Sequence, residues 1–179
     1  MKEKESSIKN KQILVGADFA GFPLKEAVVA HLQAKGWEVT DVGVRADSDP
    51  EDTDLMFHRV GLRAGAMISE GEFERALLFC GTGMGIHIAA SKCPHVHAGV
   101  VESVPAALRA ITGNGVNVLA MGAFLSSASF TMCISFSRVL SLPTFVALIS
   151  TAPKRLTVPQ KSSSPTALST GSDSPVTTD

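Results

Sequence analysis

A segment with the sequence LLFCGTGMGIHIAA carries a thiol, a hydroxyl and three glycines close together. The thiol is Cys80, which ends an apolar run suited to a buried strand, and the hydroxyl is Thr82. Gly81, Gly83 and Gly85 permit backbone conformations closed to other residues and leave the main chain open to a ligand. Backbone amides in such a loop, ahead of a helix, can bind an anion. The segment therefore predicts a strand, a tight binding loop and a helix.

Two simpler interpretations of this loop stay open on these residues alone. It can be a tight turn between a strand and a helix that binds nothing, and Cys80 can be a buried structural thiol. The glycines follow the spacing G-x-G-x-G without a Gly-Lys-Ser or Gly-Lys-Thr ending, so the loop matches neither a P-loop nor a dinucleotide fingerprint. Nucleotide binding is therefore disfavoured.

Apolar strand patterns alternate with helical patterns over most of the chain. The predicted strands are Gln12–Ala17, Trp37–Val42, Arg75–Cys80, His97–Val101 and Asn117–Met121. Helices are predicted around the stripe Leu24, Val28 and Leu32, around the stripe Met56, Val60, Ala64 and Met67, after Cys80, and over Val104–Thr112. This alternation predicts an α/β fold with a parallel sheet that is covered by helices on both faces. Asp18, Cys80 and the loops after the last two strands should then lie along one edge of the sheet.

Composition limits the kind of partner and the compartment. Sixteen Lys and Arg residues against seventeen Asp and Glu residues give a nearly neutral chain, which argues against a nucleic-acid partner. The cysteines, Cys80, Cys93 and Cys133, form no C-x-x-C pair and are odd in number, which favours a reducing compartment. Residues 1–11 are charged and include acidic side chains, unlike a secretory signal or a transit peptide. The sequence therefore predicts a cytoplasmic protein.

The predicted domain organisation has three parts. Residues 1–11 are a flexible N-terminus, residues 12–150 form one domain, and residues 151–179 are a disordered tail rich in Ser, Thr and Pro. The stretch 126–149 is apolar enough to raise the question of a membrane span, but Arg138, Pro143 and many hydroxyl side chains argue against one. Ser129–Leu142 is instead predicted to be a final covering helix, and no membrane partner is predicted.

A series of short motifs runs through the chain in a characteristic order. The motifs are Gly16-Ala17-Asp18, Gly21-Phe22, Leu24-Lys25, Asp41-Val42-Gly43, Cys80-Gly81-Thr82-Gly83-Met84-Gly85, Ala89-Ala90, Lys92, Pro94, Asn117-Val118-Leu119 and Gly122. In this order and spacing they resemble the type B ribose-5-phosphate isomerases, with the related galactose-6-phosphate isomerase subunits and tetrose-phosphate isomerases. The resemblance implies a Rossmann-like three-layer domain with a five-stranded parallel sheet. It also implies a homodimer, or a heteromer with a related subunit, in which each active site borrows residues from the partner.

The resemblance further implies that the ligand is a small phosphorylated sugar and that the activity is an aldose–ketose interconversion through an enediol, without metal or cofactor. In this chemistry a base moves a proton between neighbouring carbons while donors hold the developing oxyanion. Cys80 occupies the position of the family's cysteine base. Members with serine there use a glutamate six positions later, where this chain has Ile86. Thr82 and the amides that follow match the cradle of the enediolate, and Asp18 matches the acid that holds substrate hydroxyls.

The resulting set of site residues combines the glycine loop with two polar side chains elsewhere. The predicted catalytic residues are Cys80 and Thr82, and the predicted substrate-binding residues are Asp18, Gly81, Gly83, Met84, Gly85 and Asn114. Asn114 is a candidate for holding a substrate hydroxyl, with a simple turn residue as the alternative.

Departures from the family pattern bear on the substrate. Phe19 and Gly113 stand where members acting on ribose 5-phosphate commonly have histidines, and the second of those histidines is assigned to opening the furanose ring. The family's Tyr-Pro after the second strand is missing, and Lys154 and Arg155 are only stand-ins for its phosphate-gripping arginines. These departures imply either an open-chain substrate such as a tetrulose phosphate, or a catalytically idle homologue that binds sugar phosphates or pairs with an active subunit.

Other side chains that could bind ligands are predicted to be structural. His87, Cys93, His95 and His97 are close in sequence but show no familiar ligand spacing, so no metal site is predicted. Lys25 is predicted to be a solvated or helix-packing lysine rather than a phosphate ligand, because lysine stems commonly cover apolar surface.

Overall fold

A five-stranded sheet forms the centre of the protein, whose structure is a computed structural model that describes residues 11–125. The strands are β1 (Gln12–Ala17), β2 (Glu38–Asp41), β3 (Ala76–Cys80), β4 (Ala98–Val100) and β5 (Val118–Gly122). All of them are parallel, and their order in the sheet is β2-β1-β3-β5-β4. The predicted five-stranded parallel sheet is confirmed.

Several predictions concern residues outside this range. The predicted final helix Ser129–Leu142, the predicted tail 151–179 and the stand-ins Lys154 and Arg155 lie outside the described residues. So do residues 1–10 of the predicted flexible N-terminus.

The two edge strands, β2 and β4, are shorter than the sequence predicted. The predictions Trp37–Val42 and His97–Val101 each run one residue too far at both ends. Val42 N and Val101 N still donate to the carbonyls of Val15 and Ala120, at 2.9 and 3.0 Å, so the backbone pairing continues one residue beyond the carboxyl end of each strand. The central strands β1, β3 and β5 agree with the predictions to within one residue.

Four helices connect the strands within residues 11–125. They are α1 (Phe22–Ala34), α2 (Phe57–Ser69), α3 (Met84–Ala90) and α4 (Val104–Asn114), and a short 3-10 turn, Thr53–Leu55, precedes α2. Proline in the first turn of α1 and α4 suits a position where the missing N–H is not needed. Ser103 caps α4, because its Oγ accepts a hydrogen bond from Ala106 N at 3.3 Å.

The helices cover both faces of the sheet. Helices α1 and α4 pack with Ile13, Val15 and Phe79 on one face, and α2 and α3 pack with Leu14 and Leu78 on the other. Neighbouring residues of one strand therefore point into different cores, as the two-residue period of a strand requires. The predicted three-layer α/β fold is confirmed. None of the helices between residues 11 and 125 is long and apolar enough to span a membrane.

Helix α2 is held close to α3 by glycine. A Cβ on Gly61 would lie 2.7 Å from the Cβ of Ala89, so only glycine permits this separation of the two helices. Met56 was predicted to begin the buried stripe of this helix, and that part of the prediction is wrong. Met56 precedes the first residue of α2 and is 42% exposed, because the chain there is still extended rather than helical.

Candidate active site

The ends of β1 and β3 are neighbours at the point where the order of the sheet reverses. The connection after β1 leads to the edge strand β2, whereas β3 lies on the other side of β1. In open parallel sheets, ligands bind in the crevice beyond the strand ends at such a point. Asp18 follows β1, Cys80 ends β3, and the amide of Asp18 donates to the carbonyl of Phe79 at 3.3 Å. The fold thus brings these two predicted site residues to adjacent strand ends.

The glycine loop is folded so that its amides face its own polar side chains. Gly83 N donates to Cys80 Sγ at 3.1 Å, and Met84 N donates to Thr82 Oγ1 at 3.3 Å. Cys80 is 4% exposed, whereas Thr82 and Met84 are exposed. An N–H donor directed at sulfur stabilises negative charge there, and the thiolate is the reactive form of cysteine. Because the Thr82 oxygen already accepts from Met84, the hydroxyl hydrogen remains available to donate to a ligand.

Gly83 has a backbone conformation that few other residues adopt. Its φ is +80°, and a Cβ there would lie 3.0 Å from the backbone carbon of Met121. This left-handed conformation turns the chain from β3 into α3 within three residues of Cys80. Glycine at this position therefore has a conformational reason that does not depend on any ligand.

The end of β5 supports the loop from the other side. The amides of Ala123 and Phe124 donate to the carbonyls of Cys80 and Gly81, both at 2.9 Å. A Cβ on Gly122 would lie 2.6 Å from the carbonyl carbon of Thr82, so the two backbones are in direct contact. The loop is thus fixed by backbone interactions before any ligand arrives.

Asp18 is held in a tight turn ahead of α1. Its Oδ1 accepts from Gly21 N at 2.8 Å. Burial raises the pKa of this carboxyl above its ordinary value of 3.8, although hydrogen bonds from the amides of Gly21 and Ala20 act in the opposite direction. A Cβ on Gly21 would lie 2.4 Å from the backbone carbon of Phe79, so the turn packs directly on the end of β3. The carboxylate is therefore both desolvated and oriented.

Two phenylalanines beside the loop were not identified from the sequence. A Cβ on Gly81 would lie only 2.6 Å from the ring of Phe124, and a Cβ on Gly85 would lie only 2.7 Å from the ring of Phe57. Phe124 is 74% exposed. These contacts join residues that are distant in sequence, and no local pattern signals them. Both rings place apolar surface along the glycine loop.

Asn114 is the predicted site residue that lies apart from the others. It is exposed at the end of α4, and Gly115, with φ +66°, follows it. The chain then enters β5, whose first residue, Val118, pairs with the first residue of β3. Asn114 therefore lies at the end of the sheet where the strands begin, whereas Cys80 lies at the end where they finish. The other seven residues of the predicted set lie at or just after the carboxyl ends of the strands.

The histidines considered as metal ligands do not form a cluster. Within residues 11–125, no three His, Cys, Asp or Glu side chains are grouped closely enough to hold a metal ion. Asn117 accepts from His97 N at 2.8 Å and donates to the His95 carbonyl at 2.9 Å, so both histidines lie where β4 and β5 begin. His87 is on α3, beyond the glycine loop.

Lys25 is buried, and its ammonium group is engaged by the protein. It is 0% exposed and contacts the Asp41 carboxylate, the Val44 carbonyl and, at 3.1 Å, Glu26 Oε1. A solvated lysine was one of the two predicted possibilities, and it is wrong. The helix-packing alternative is correct, with the addition of a buried ion pair that the sequence did not indicate.

The chain is similar in sequence to a known family and to several of its members. Residues 13–135 match the family described as Ribose/Galactose Isomerase. A 4-deoxy-4-sulfo-D-erythrose isomerase from Clostridium sp. (strain MSTE9) is 44% identical over 64% of this chain and 69% of its own length. A D-erythrulose-4-phosphate isomerase from Mycolicibacterium smegmatis (strain ATCC 700084 / mc(2)155) is 37% identical over 62% of this chain and 72% of its own length.

The fold is also similar to a solved structure of this family. The ribose-5-phosphate isomerase B of Clostridium thermocellum superposes with a TM-score of 0.64 at 29% identity, covering 73% of this chain and 83% of that one. The predicted resemblance is confirmed, and the relatives are named as isomerases of small anionic sugars. The chain belongs to the ribose/galactose isomerase family of aldose–ketose isomerases.

Proposed function

We propose that this protein interconverts the aldose and ketose forms of a four-carbon sugar that carries a terminal phosphate or sulfonate. Two of the relatives described above are named for four-carbon substrates. The chain also has Phe19 and Gly113 at the positions of the histidines expected for ribose 5-phosphate. A four-carbon aldose whose C4 carries phosphate or sulfonate has no free 4-hydroxyl and cannot close to a furanose. A ring-opening histidine is therefore unnecessary for such a substrate.

The observation that carries this proposal is the hydrogen bond from Gly83 N to Cys80 Sγ, 3.1 Å long, at the strand end next to Asp18. It supports Cys80 as the base, because an amide donor directed at the sulfur stabilises the thiolate, which is the form of cysteine that can take up a proton. Asp18 then holds substrate hydroxyls through the carboxylate oxygen that does not accept from Gly21. Thr82, with its hydrogen free to donate, faces the developing oxyanion.

The proton balance of the proposed reaction is simple. The Cys80 thiolate removes the C2 proton of the aldose, and the electron pair moves through the new C1–C2 double bond to the carbonyl oxygen. Thr82 and the loop amides stabilise the resulting enediolate. The thiol returns the proton to C1, while the O2 hydroxyl passes its own proton to O1, so that O1 becomes the C1 hydroxyl and O2 becomes the ketose carbonyl. The base is regenerated, and no cofactor is consumed.

We also propose that a second copy of the chain completes each site. Asn114 is exposed at the edge opposite Cys80, so within one chain it cannot reach a substrate bound at the glycine loop. In a twofold dimer, the Asn114 edge of one copy can face the crevice of the other. A heteromer with a related subunit would satisfy the same geometry.

Proton NMR in deuterated water tests the activity. Erythrulose 4-phosphate, its 4-deoxy-4-sulfo analogue and ribulose 5-phosphate are each added to wild type, to Cys80→Ala and to Cys93→Ala, which makes the same change at a cysteine away from the loop. We expect exchange of the carbon-bound hydrogen with a four-carbon compound, at least about a hundredfold slower in Cys80→Ala and unchanged in Cys93→Ala. Saturable binding without exchange would instead indicate an idle homologue or a subunit of a heteromeric isomerase.

A further inference from the structure

Lys25 is the only polar or charged residue in the buried set within residues 11–125. A buried ammonium group is costly unless its donors are satisfied. The ammonium group donates hydrogen bonds to the Asp41 carboxylate and the Val44 carbonyl, forms an ion pair with Glu26 at 3.1 Å, and lies 5.1 Å from the centre of the Phe22 ring. The Glu26 carboxylate is half exposed, whereas Asp41 is largely covered. The dominant partners of Lys25 are therefore in the segment that begins with the last residue of β2.

That segment, Asp41–Val44, packs directly against the residue that precedes Asp18. Val44 N donates to the Ala17 carbonyl at 2.8 Å. A Cβ on Gly43 would lie 2.2 Å from the amide nitrogen of Ala17, so the two backbones touch at the residue before Asp18. The same Asp41 carboxylate accepts from Gly43 N at 2.9 Å. The Asp41 carboxylate, which pairs with Lys25, therefore also fixes the backbone of Gly43, against which the Asp18 turn packs.

The backbone of Lys25 holds the other end of the same turn. Lys25 N donates to the Gly21 carbonyl at 3.0 Å in the first turn of α1. Gly21 N in turn donates to Asp18 Oδ1. The Asp18 turn is therefore enclosed between α1 and the Asp41–Val44 segment, and the Lys25 ammonium group joins these two elements.

We propose that Lys25 is a positioning residue for Asp18: by joining α1 to the Asp41–Val44 segment, its ammonium group fixes the orientation of the Asp18 carboxylate toward the substrate. This inference rests on the proposed function, in which Asp18 holds substrate hydroxyls. It also gives the buried charge a structural role. An apolar residue would fill the same space but would leave α1 and the segment unconnected.

Amide hydrogen exchange tests the positioning without requiring any activity. In Lys25→Met, which keeps the length of the stem, the amides of Gly21 and Val44 are expected to exchange about tenfold faster than in wild type, because each bond depends on the junction. The amide of Gly83, on the other side of the crevice, is expected to be unchanged. Lys92→Met is the matched control, since it makes the same substitution at an exposed lysine. Unchanged exchange at Gly21 in Lys25→Met would overturn the proposal.

Kinetics then separate positioning from general stability. Lys25→Met is expected to raise KM about tenfold and to change kcat less than about threefold, because Asp18 acts in binding rather than in proton transfer. The double variant Lys25→Met/Asp41→Asn removes both charges and keeps an acceptor for Gly43 N. Its thermal midpoint should recover toward wild type, because no unpaired buried charge remains, while KM and the Gly21 exchange rate stay raised.

Recovery of KM together with stability in the double variant would show that Lys25 is only structural and would overturn the inference. If wild type shows no isomerase activity on any of the three sugars, the proposed function fails. The exchange rates would still decide the role of Lys25, because they are measured without substrate.

Discussion

The amide of Gly83 donates a hydrogen bond to the sulfur of Cys80 across 3.1 Å, and the left-handed conformation of Gly83 makes this possible. The two residues are separated by a complete reversal of chain direction, from the end of β3 into α3. The Gly83 amide therefore faces the sulfur before a substrate binds. Preorganised donors of this kind stabilise a charged transition state without further rearrangement.

Gly83→Ala should impair both stability and catalysis. Forcing a residue with a side chain into this left-handed conformation costs about 1–2 kcal/mol, and the new Cβ meets the backbone of Met121. We expect a drop in kcat of at least about tenfold from the misdirected amide, which steady-state assays and urea unfolding would measure. Gly113→Ala is the matched control for stability, because Gly113 lies in α4 with nothing within 4 Å of its Cβ position. Equal behaviour of the two variants would contradict this explanation of Gly83.

The glycine loop and β1 could be predicted from the sequence because their signals are local. An apolar run followed by closely spaced glycines specifies a strand and a tight turn wherever it occurs. The burial of Lys25 could not be predicted, since it depends on contacts with Asp41, at the end of β2, and with Val44 in the loop that follows. The Phe57 and Phe124 contacts depend in the same way on tertiary packing.

The position of Asn114 shows a different limit of the sequence. A motif places residues in order along the chain, but it does not state at which edge of the sheet they lie. The structure places Asn114 where β5 is about to begin, away from Cys80. Asn114 can contribute to a site at Cys80 only if it belongs to a second chain, and a single sequence does not show how two chains pack together.

Replacing Asp18 by asparagine should change stability in a pH-dependent way. Burial raises the pKa of this carboxyl, so the folded state binds its proton more tightly than the unfolded state does. The contribution of Asp18 to stability therefore falls as pH rises from 3.8 through the raised pKa, and the penalty is fully present above that raised pKa. We expect Asp18→Asn to be more stable than wild type at pH 7, with a difference that shrinks on acidification.

Thermal unfolding of Asp18→Asn and wild type over a pH series measures this effect. Asp49→Asn is the control, because Asp49 also accepts a backbone amide, from Glu51 N at 3.0 Å, but is exposed. A difference that grew toward low pH would contradict the sign of the shift. The same Asp18 variant is expected to lose substrate affinity, because asparagine is a weaker acceptor for sugar hydroxyls than a carboxylate.

Mixing two inactive variants tests whether Asn114 acts across a dimer interface. If each site combines Cys80 of one copy with Asn114 of the other, Cys80→Ala and Asn114→Ala homodimers both lack intact sites. After joint unfolding and refolding at equal amounts, half of the dimers would be mixed, and each mixed dimer would contain one intact site. We therefore expect recovery of about a quarter of wild-type activity. Each variant refolded alone is the control. Mixed dimers identified by mass but without activity would show that Asn114 does not complete the partner's site, and full activity of Asn114→Ala alone would remove it from the site altogether.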